Sequence, residues 1–215
     1  MLCLLVPEPE VRAGMASPAD WLSPSEATRL RALGSEARRD TFLAGRWLAR
    51  HAVQRFLGDV VLPVLEVADS GACTAPGAHV SISHSAGFVA CAVAGMPVGV
   101  DIEDLARPRD HLALAEAVHG PAQREQLAAL PAAARALPFL QWWTLKEAWL
   151  KARGQGLDFA LMRDLAFADA VGDVAITRVG ELVLAVAADP TLPAPIEGVP
   201  GAAWQRLMSR RLSAA

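Results

Sequence analysis

The spacing of apolar and polar positions predicts a strand, a helical region, several strands, a second helical region and further strands. The apolar run Leu2–Val6 predicts the first strand. Apolar residues then recur at helical spacing through residues 36–57, with Ser35 as the predicted N-terminal cap and Gly58 where the helix would end. Because helices and strands are grouped and do not alternate one by one, the pattern favours an α+β fold over a doubly wound sheet.

Strands and a second helical region follow the first helices. Alternation predicts strands in FVACAVAG and PVGVDIE, and further strands over LAFADAVGDVAITRVGELVLAVA. Helical spacing lies between them in QWWTLKEAWLKAR, and AWQRLMSRRL is expected to form a last short helix in a peripheral tail. Pro108 marks a break, so we expect two parts at residues 1–106 and 107–215.

Composition narrows the class of protein. Of the 215 residues 53% are hydrophobic and 20% charged, which is typical of a globular domain. The net charge of −3 provides no global basic field, so we expect neither a nucleic acid nor a membrane as partner. Three cysteines without a C-x-x-C pair indicate a reducing cytoplasm, and the first apolar run is too short for a signal peptide or a membrane span.

The segment VGVDIE places two carboxylates on one face of a predicted strand. Asp101 and Glu103 alternate with the apolar Val100 and Ile102, and their Cα atoms would lie about 6–7 Å apart. Paired carboxylates with a neighbouring glycine suit a hard cation such as Mg²⁺. A solvated strand face would show the same pattern, and the segment alone does not separate the two interpretations.

The segment WWTLKEAWLKA places charged residues on a predicted helix. Glu147 and Lys151 are four residues apart and share a face. Such a pair is also an ordinary helix-stabilising contact worth about 0.2–0.5 kcal/mol. The flanking tryptophans favour a partly buried face, where an unpaired charge is costly.

The segment SISHSAG ends a predicted strand at a histidine. Ser83, Ser85 and local amides around His84 could bind an anion, although a lone histidine is more often a surface or structural residue. G-x-S-x-G is absent, so the sequence does not support an esterase nucleophile.

The three segments together resemble one family. SHS, then G-V-D-I-E, then W-x-x-K-E-A-x-x-K-x-x-G-x-G-L is similar to the Sfp-type phosphopantetheinyl transferases, with the close match at residues 83–157 and a weaker one from FLAGRWLAR back to Ser23. The resemblance implies a pseudo-dimer of two similar α+β halves with the active site in the cleft between them. A monomer is then expected, since one chain supplies both halves of the site.

The resemblance also implies roles for individual residues. Asp101, Glu103 and Glu147 would be the Mg²⁺ ligands, and Lys151 would hold phosphate oxygens near the reacting phosphorus. The expected contacts with coenzyme A, on its phosphates above all, are shared by Arg29, Arg46, Arg50, Ser83, His84, Lys146 and Lys151. Glu147 and Lys151 would be the catalytic pair, with a water on the metal as the other candidate for the base.

Three positions depart from the family pattern. Gly71-Ala72-Cys73 stands where the family commonly has Gly-Lys-Pro or Gly-Arg-Pro, which puts a side-chain contact from position 72 in doubt. Glu26 lies where related proteins often carry a lysine, and Gln123 where many members have a glutamate.

The implied activity is that of a holo-[acyl-carrier-protein] synthase. The serine of an apo acyl or peptidyl carrier protein, from fatty-acid, polyketide or non-ribosomal peptide synthesis, would attack coenzyme A and release adenosine 3′,5′-bisphosphate. Leu105–Arg109 and Val118–Arg124 are expected to receive the carrier. The alternatives are another magnesium phosphotransferase or nuclease, and a degenerate homologue that binds coenzyme A or the carrier without transfer.

Overall fold

The computed structural model of the chain describes residues 1–68 and 72–213. The helices are α1 (Glu8–Ala13), α2 (Pro24–Arg31), α3 (Glu36–Leu57), α4 (His111–Val118), α5 (Pro121–Ala128), α6 (Ala136–Ala152) and α7 (Phe159–Asp164). The strands are β1 (Leu2–Pro7), β2 (Glu66–Val67), β3 (Cys73–Ala75), β4 (Ala78–Ser85), β5 (Phe88–Ala94), β6 (Val98–Asp104), β7 (Leu165–Ala168), β8 (Val174–Val179), β9 (Leu182–Ala188) and β10 (Gln205–Arg211). The predicted α+β class is confirmed.

In the described residues the strands form two five-stranded sheets. The first has the order β1-β5-β4-β3-β2 and the second β6-β9-β8-β10-β7, and all neighbouring strands are antiparallel. One long helix covers the outer face of each sheet, α3 on the first and α6 on the second. The inner faces pack on each other through small and branched side chains of β5, β6 and β9. The expected arrangement of two α+β halves is confirmed.

The two long helices follow from local sequence signals. Ser35 caps α3 by accepting a hydrogen bond from the amide of Arg38, at 3.3 Å, and Gly58 ends the helix with a positive φ of 73°. Both ends lie where the sequence predicts them. In α6 the buried stripe contains Leu145, Ala148 and Trp149, as the helical spacing indicates.

The change between the sheets falls at residues 95–97. Strand β6 pairs with β9 over its whole length, so it belongs to the second sheet. The predicted division at residue 106 lies after this strand, and the strand acids do not come from the first half as expected. Alternation identifies β6 as a strand but does not tell which strand it pairs with.

The C-terminal tail is not peripheral, and its last segment is not a helix. Residues 205–211 form β10, which pairs with β8 on one side and β7 on the other. Before that strand the chain crosses to the first sheet, where the Cys3 amide donates to the Glu197 carbonyl at 2.8 Å. The tail therefore contacts both halves.

Candidate active site

Strand β6 presents its acids towards α6. A Cβ on Gly99 would lie 1.9 Å from the carbonyl oxygen of Ala148, so only glycine lets the helix approach this closely. Val100 and Ile102 are buried between the sheets, which confirms the predicted alternation. The close approach brings the face of α6 that carries Glu147 and Lys151 next to the β6 acids.

Asp101 lies at the centre of this contact. Its side chain is 5% exposed, and its Oδ1 accepts hydrogen bonds from Ser83 Oγ at 2.8 Å and Lys151 Nζ at 2.7 Å. Its Oδ2 is buried and has no hydrogen-bond partner within the described residues. A buried, unpartnered carboxylate oxygen is costly, and a cation is the usual way to satisfy it.

Lys151 joins the two halves at this point, since its ammonium donates to Ser83 Oγ on β4 at 3.3 Å. Its ammonium also donates to the Val100 carbonyl at 3.0 Å, and it lies 3.9 Å from Glu147 Oε2. The Val100 amide donates in turn to Ser81 Oγ on β4 at 3.0 Å. Strand β6 is an edge strand, so these contacts satisfy backbone groups that have no strand beside them.

Glu147 lies among charged groups of both signs. Desolvation raises the pKa of its carboxyl to about 7, with Asp101 as the next contributor and Glu103 a smaller one, while Lys151 and Arg109 oppose the rise. The contacts of Lys151 with Asp101 at 2.7 Å and Glu147 at 3.9 Å place the β6 and α6 acids on either side of one ammonium.

Two of these acids are already paired with cationic side chains. Asp101 bonds Lys151, and Glu103 forms an ion pair with Arg109. Across residues 1–68 and 72–213, no group of three or more His, Cys, Asp or Glu side chains is arranged to hold a metal ion. The unpartnered Asp101 Oδ2 and the carboxylate donor set nevertheless fit a hard cation such as Mg²⁺.

A cleft runs from this centre along β4. Strand β3 pairs with β4 only at Thr74↔His79 and Ala75↔Ala78, so the later part of β4 has no partner on that side in the described chain. Two adjoining cavities of about 290 and 440 Å³ share Arg46 and Ile82. The smaller is lined by Arg46, Ala72, Cys73, Val80, Ser81, Ile82, Lys151, Gly154, Gln155 and Gly156. The larger is lined by Arg29, Leu33, Ala37, Arg38, Thr41, Phe42, Gly45, Arg46, Ile82 and His84.

The cleft contains several of the expected phosphate contacts. Arg46 is buried between the two cavities, whereas Arg29 and His84 are exposed at the walls of the larger one. Ser83 points to the opposite face of β4, where it donates to Asp101. Arg46, Arg29 and His84, with Lys151, put positive charge or hydrogen-bonding capacity along the length of one cleft.

Arg50 does not lie in the cleft, contrary to the expectation. Its side chain is 1% exposed and forms a bidentate ion pair with Glu26, at 3.0 and 2.5 Å, and it also donates to the Trp21 carbonyl. Glu26 is at the same time the capping-box residue of α2, paired with Ser23. Glu26 at this position is therefore explained by structure, since it joins α2 to α3.

Lys146 also lies away from the acids. Its fully buried ammonium donates to the Val118 carbonyl at 2.9 Å and to Gln123 Oε1 at 2.7 Å, and lies 3.0 Å from His119 Nδ1. Burial lowers the pKa of Lys146 to about 7 and that of His119 to about 3, where the charge of Lys146 adds to the effect. The expected contact of Lys146 with coenzyme A is not supported by this position.

The two segments expected to receive a carrier differ in accessibility. Arg107 in the loop after β6 is exposed, whereas Val118, His119 and Gly120 are buried at the junction of α4 and α5. In the Gly71-Ala72-Cys73 segment, Gly71 lies outside the described residues, and Ala72 and Cys73 line the smaller cavity.

Two side chains at the site are not indicated by the sequence pattern. Arg109 belongs to the segment expected to receive a carrier, but its ion pair with Glu103 has no signal in the spacing. Gln155 lines the smaller cavity, and only its place between the glycines of the G-x-G motif could have drawn attention to it.

The fold and site together define a two-lobed α+β protein with an acidic centre beside a cationic cleft. The family model described as the 4′-phosphopantetheinyl transferase superfamily matches residues 97–182, and that of the 4′-phosphopantetheinyl transferase N-terminal domain matches residues 27–94. The chain belongs to the 4′-phosphopantetheinyl transferase superfamily, and its match is to the Sfp type.

Curated relatives share parts of the chain. It is 37% identical over 86 residues to the 4′-phosphopantetheinyl transferase psf-1 of Bacillus pumilus, which covers 40% of this chain and 36% of that protein. It is 32% identical over 149 residues to the 4′-phosphopantetheinyl transferase HetI of Nostoc sp., covering 65% and 62%. The alignments thus span between 36% and 62% of the length of these two relatives. Among the described residues, no helix has the length and hydrophobicity to cross a membrane.

Proposed function

We propose that the chain is a 4′-phosphopantetheinyl transferase. It moves the phosphopantetheine arm of coenzyme A onto a serine of an apo acyl or peptidyl carrier protein and releases adenosine 3′,5′-bisphosphate. The observation that carries the proposal is the position of Lys151, which bonds Asp101 and lies 3.9 Å from Glu147 at the end of the cationic cleft.

The cleft suits a ligand with several phosphates. Lys151 lies at one end, Arg46 in the middle, and Arg29 and His84 at the other end. We assign the diphosphate of coenzyme A to the Lys151 end and its 3′-phosphate to the Arg29 and His84 end, within reach of Arg46. This orientation places the scissile bond beside the acids.

Mg²⁺ would be held by Asp101, Glu103 and Glu147. The unpartnered Asp101 Oδ2 and the desolvated Glu147 carboxyl support the assignment, because a cation would satisfy the first and stabilise the ionised form of the second. When bound, the metal would neutralise charge on the diphosphate.

The side chains of this chain would supply the remaining steps. The carrier serine Oγ forms a bond to the β-phosphorus of coenzyme A, and the bond from that phosphorus to the bridging oxygen breaks. Adenosine 3′,5′-bisphosphate leaves with that oxygen, while Glu147 accepts the serine proton. Glu147 is suited to this role because its carboxylate lies beside Lys151, and Lys151 stabilises charge on the phosphoryl oxygens.

The partner and setting follow from the same proposal. The loop after β6 has an exposed Arg107 and is tied to the acidic centre by the Arg109–Glu103 ion pair, and it is the proposed contact for an acidic carrier. The chain would act as a monomer, since both halves supply residues to one cleft. Cys3, Cys73 and Cys91 are free and buried, which agrees with a cytoplasmic setting.

A transfer assay tests the proposal. Apo carriers from fatty-acid, polyketide and non-ribosomal peptide pathways are incubated with the protein, coenzyme A and Mg²⁺. The mass of each carrier is then measured by mass spectrometry. A gain of one phosphopantetheine arm with release of adenosine bisphosphate is expected, and Asp101→Ala should lower the rate by at least about 100-fold. Binding of coenzyme A without any mass gain on the panel would reject transfer. The efficiencies across the panel decide whether holo-[acyl-carrier-protein] synthase is the apt description.

A further inference from the structure

Arg109 lies beside the acidic centre, and the proposed reaction gives it no task. It lies in the loop between β6 and α4 and forms an ion pair with Glu103. The two side chains are 12% and 16% exposed, so the pair is shielded from water far more than an ordinary surface pair. A contact of this kind holds both side chains in place.

The influence of Arg109 extends beyond Glu103. Its charge lowers the pKa of Glu147, as does that of Lys151. The centre thus contains the three carboxyls of Asp101, Glu103 and Glu147 and two basic side chains. Arg109 and Lys151 offset most of the negative charge that the three acids would otherwise concentrate at one point.

A divalent cation and Arg109 would therefore compete for the same carboxylate. We propose that Arg109 is a displaceable counter-ion of the acidic centre, released from Glu103 when a divalent cation takes that carboxylate as a ligand. The inference rests on the proposed metal site. It follows because two positive charges on adjacent oxygens of one carboxylate repel each other, most strongly where water is excluded.

The loop is built so that only the side chain needs to move. At its start the Ala106 amide donates to Asp104 Oδ1 at 2.9 Å, and at its end Asp110 caps α4 by accepting from the Ala113 amide at 3.1 Å. Both ends of the segment are thereby fixed. The released guanidinium stays at the rim of the centre, where it can meet an anionic group of a phosphate or of an acidic carrier.

Cation affinity of the free protein tests the inference without any turnover. Mn²⁺ stands in for Mg²⁺, because both are hard cations that take carboxylate ligands, and its free fraction is measured by electron paramagnetic resonance at fixed ionic strength. The variants are Arg109→Gln, Arg109→Lys, which keeps the charge, and Arg107→Gln as the matched control. Arg107 lies two residues away in the same loop, is exposed, and loses the same charge.

The counter-ion role predicts a specific order of affinities. Arg109→Gln should bind Mn²⁺ at least threefold more tightly than wild type, while Arg109→Lys and Arg107→Gln stay within twofold. Equal or weaker binding by Arg109→Gln, or equal tightening in Arg107→Gln, would overturn the role of Arg109 and leave the metal site standing. If wild type and Asp101→Ala bind Mn²⁺ alike, the proposed metal site itself fails, and the inference with it.

Discussion

Arg46 and Arg50 lie one helical turn apart on α3, yet they have different roles in the structure. Arg46 borders both cavities of the cleft, while Arg50 is paired with Glu26 beneath the ring of Trp21, with its guanidinium carbon 4.7 Å from the ring centroid. Sequence spacing treats the two as equivalent, since both belong to one face of an amphipathic helix. The position of α2 distinguishes the two arginines, because Glu26 on α2 binds Arg50 and keeps its side chain away from the cleft.

Arg50→Met should therefore lower stability and spare substrate recognition. Removing one partner leaves the Glu26 charge buried and unpaired, and the free energy of unfolding should fall by about 3–5 kcal/mol. Urea denaturation measures the loss, and the double variant Glu26→Gln, Arg50→Met should recover part of it.

His84→Ala provides the contrast. His84 is exposed at the cleft, so unfolding should change by no more than about 0.5 kcal/mol, while the KM for coenzyme A rises. If Arg50→Met instead had a normal free energy of unfolding and a raised KM for coenzyme A, Arg50 would have to be a phosphate contact.

At the scale of elements, the contact between β6 and α6 decides the site. The alternation of VGVDIE and the helical spacing of KEAWLKA are both readable in the sequence, and both are confirmed. What the sequence could not tell is how close the two elements come. The missing side chain at Gly99 allows that approach, and it places Asp101 against Lys151.

Gly99→Ala should disturb this contact. The added Cβ would meet the Ala148 carbonyl, and overpacking of this kind costs about 1–3 kcal/mol or more. We expect a lower thermal midpoint and a reduced transfer rate, since α6 must shift away from the acids. Gly95→Ala is the matched control, because nothing lies within 4 Å of its added Cβ. Equal thermal midpoints for the two variants would show that the close approach of β6 and α6 does not contribute to stability.

The Lys146 network makes a second prediction at this scale. The folded protein keeps His119 neutral, with a pKa lowered to about 3, whereas an unfolded chain protonates it near pH 6.5. The unfolded state thus binds the extra proton as pH falls from about 6.5 to about 3, and stability is lost across that window. A His119→Asn variant lacks this titration.

The test compares unfolding free energies of the two proteins at pH 7.5 and pH 5. Wild type should lose about 2 kcal/mol relative to His119→Asn between the two values. Parallel pH profiles would mean that His119 is not kept neutral by the fold. The hydrogen bonds of Lys146 join α6 to α4 and α5. They therefore help to fix the position of Glu147, the next residue on α6.

The prediction of a helix at the last element was wrong. Arginines and apolar residues in AWQRLMSRRL fit a short helix by spacing, but residues 205–211 form β10 inside the second sheet. Partners from β7 and β8 supply the hydrogen bonds, and this tertiary pairing overrides a weak local preference. The error is of the kind that local periodicity cannot avoid.

At the scale of the molecule, the two halves are held by more than their facing sheets. The segment before β10 returns to the first sheet, where Glu197 exchanges backbone hydrogen bonds with Met1 and Cys3 at 3.1 and 2.8 Å. Ser83 and Lys151 add a polar contact at the cleft, each bonded to Asp101. The two halves are thus joined at β1 by the backbone crossing and at the cleft by the side chains around Asp101.

Gly198→Ala should loosen that crossing. The residue has a φ of 102°, and an added Cβ would lie 2.4 Å from the Cys3 carbonyl oxygen. Gly201→Ala separates strain from collision, because its φ of 70° carries a similar backbone penalty of about 1–2 kcal/mol while nothing lies within 4 Å. Gly198→Ala should lose clearly more stability than Gly201→Ala in urea denaturation. Intrinsic tryptophan fluorescence should then report the loss in both halves, because Trp21 and Trp47 lie in the first and Trp149 in the second. Equal losses in the two variants would mean that the contact with β1 does not hold the halves together.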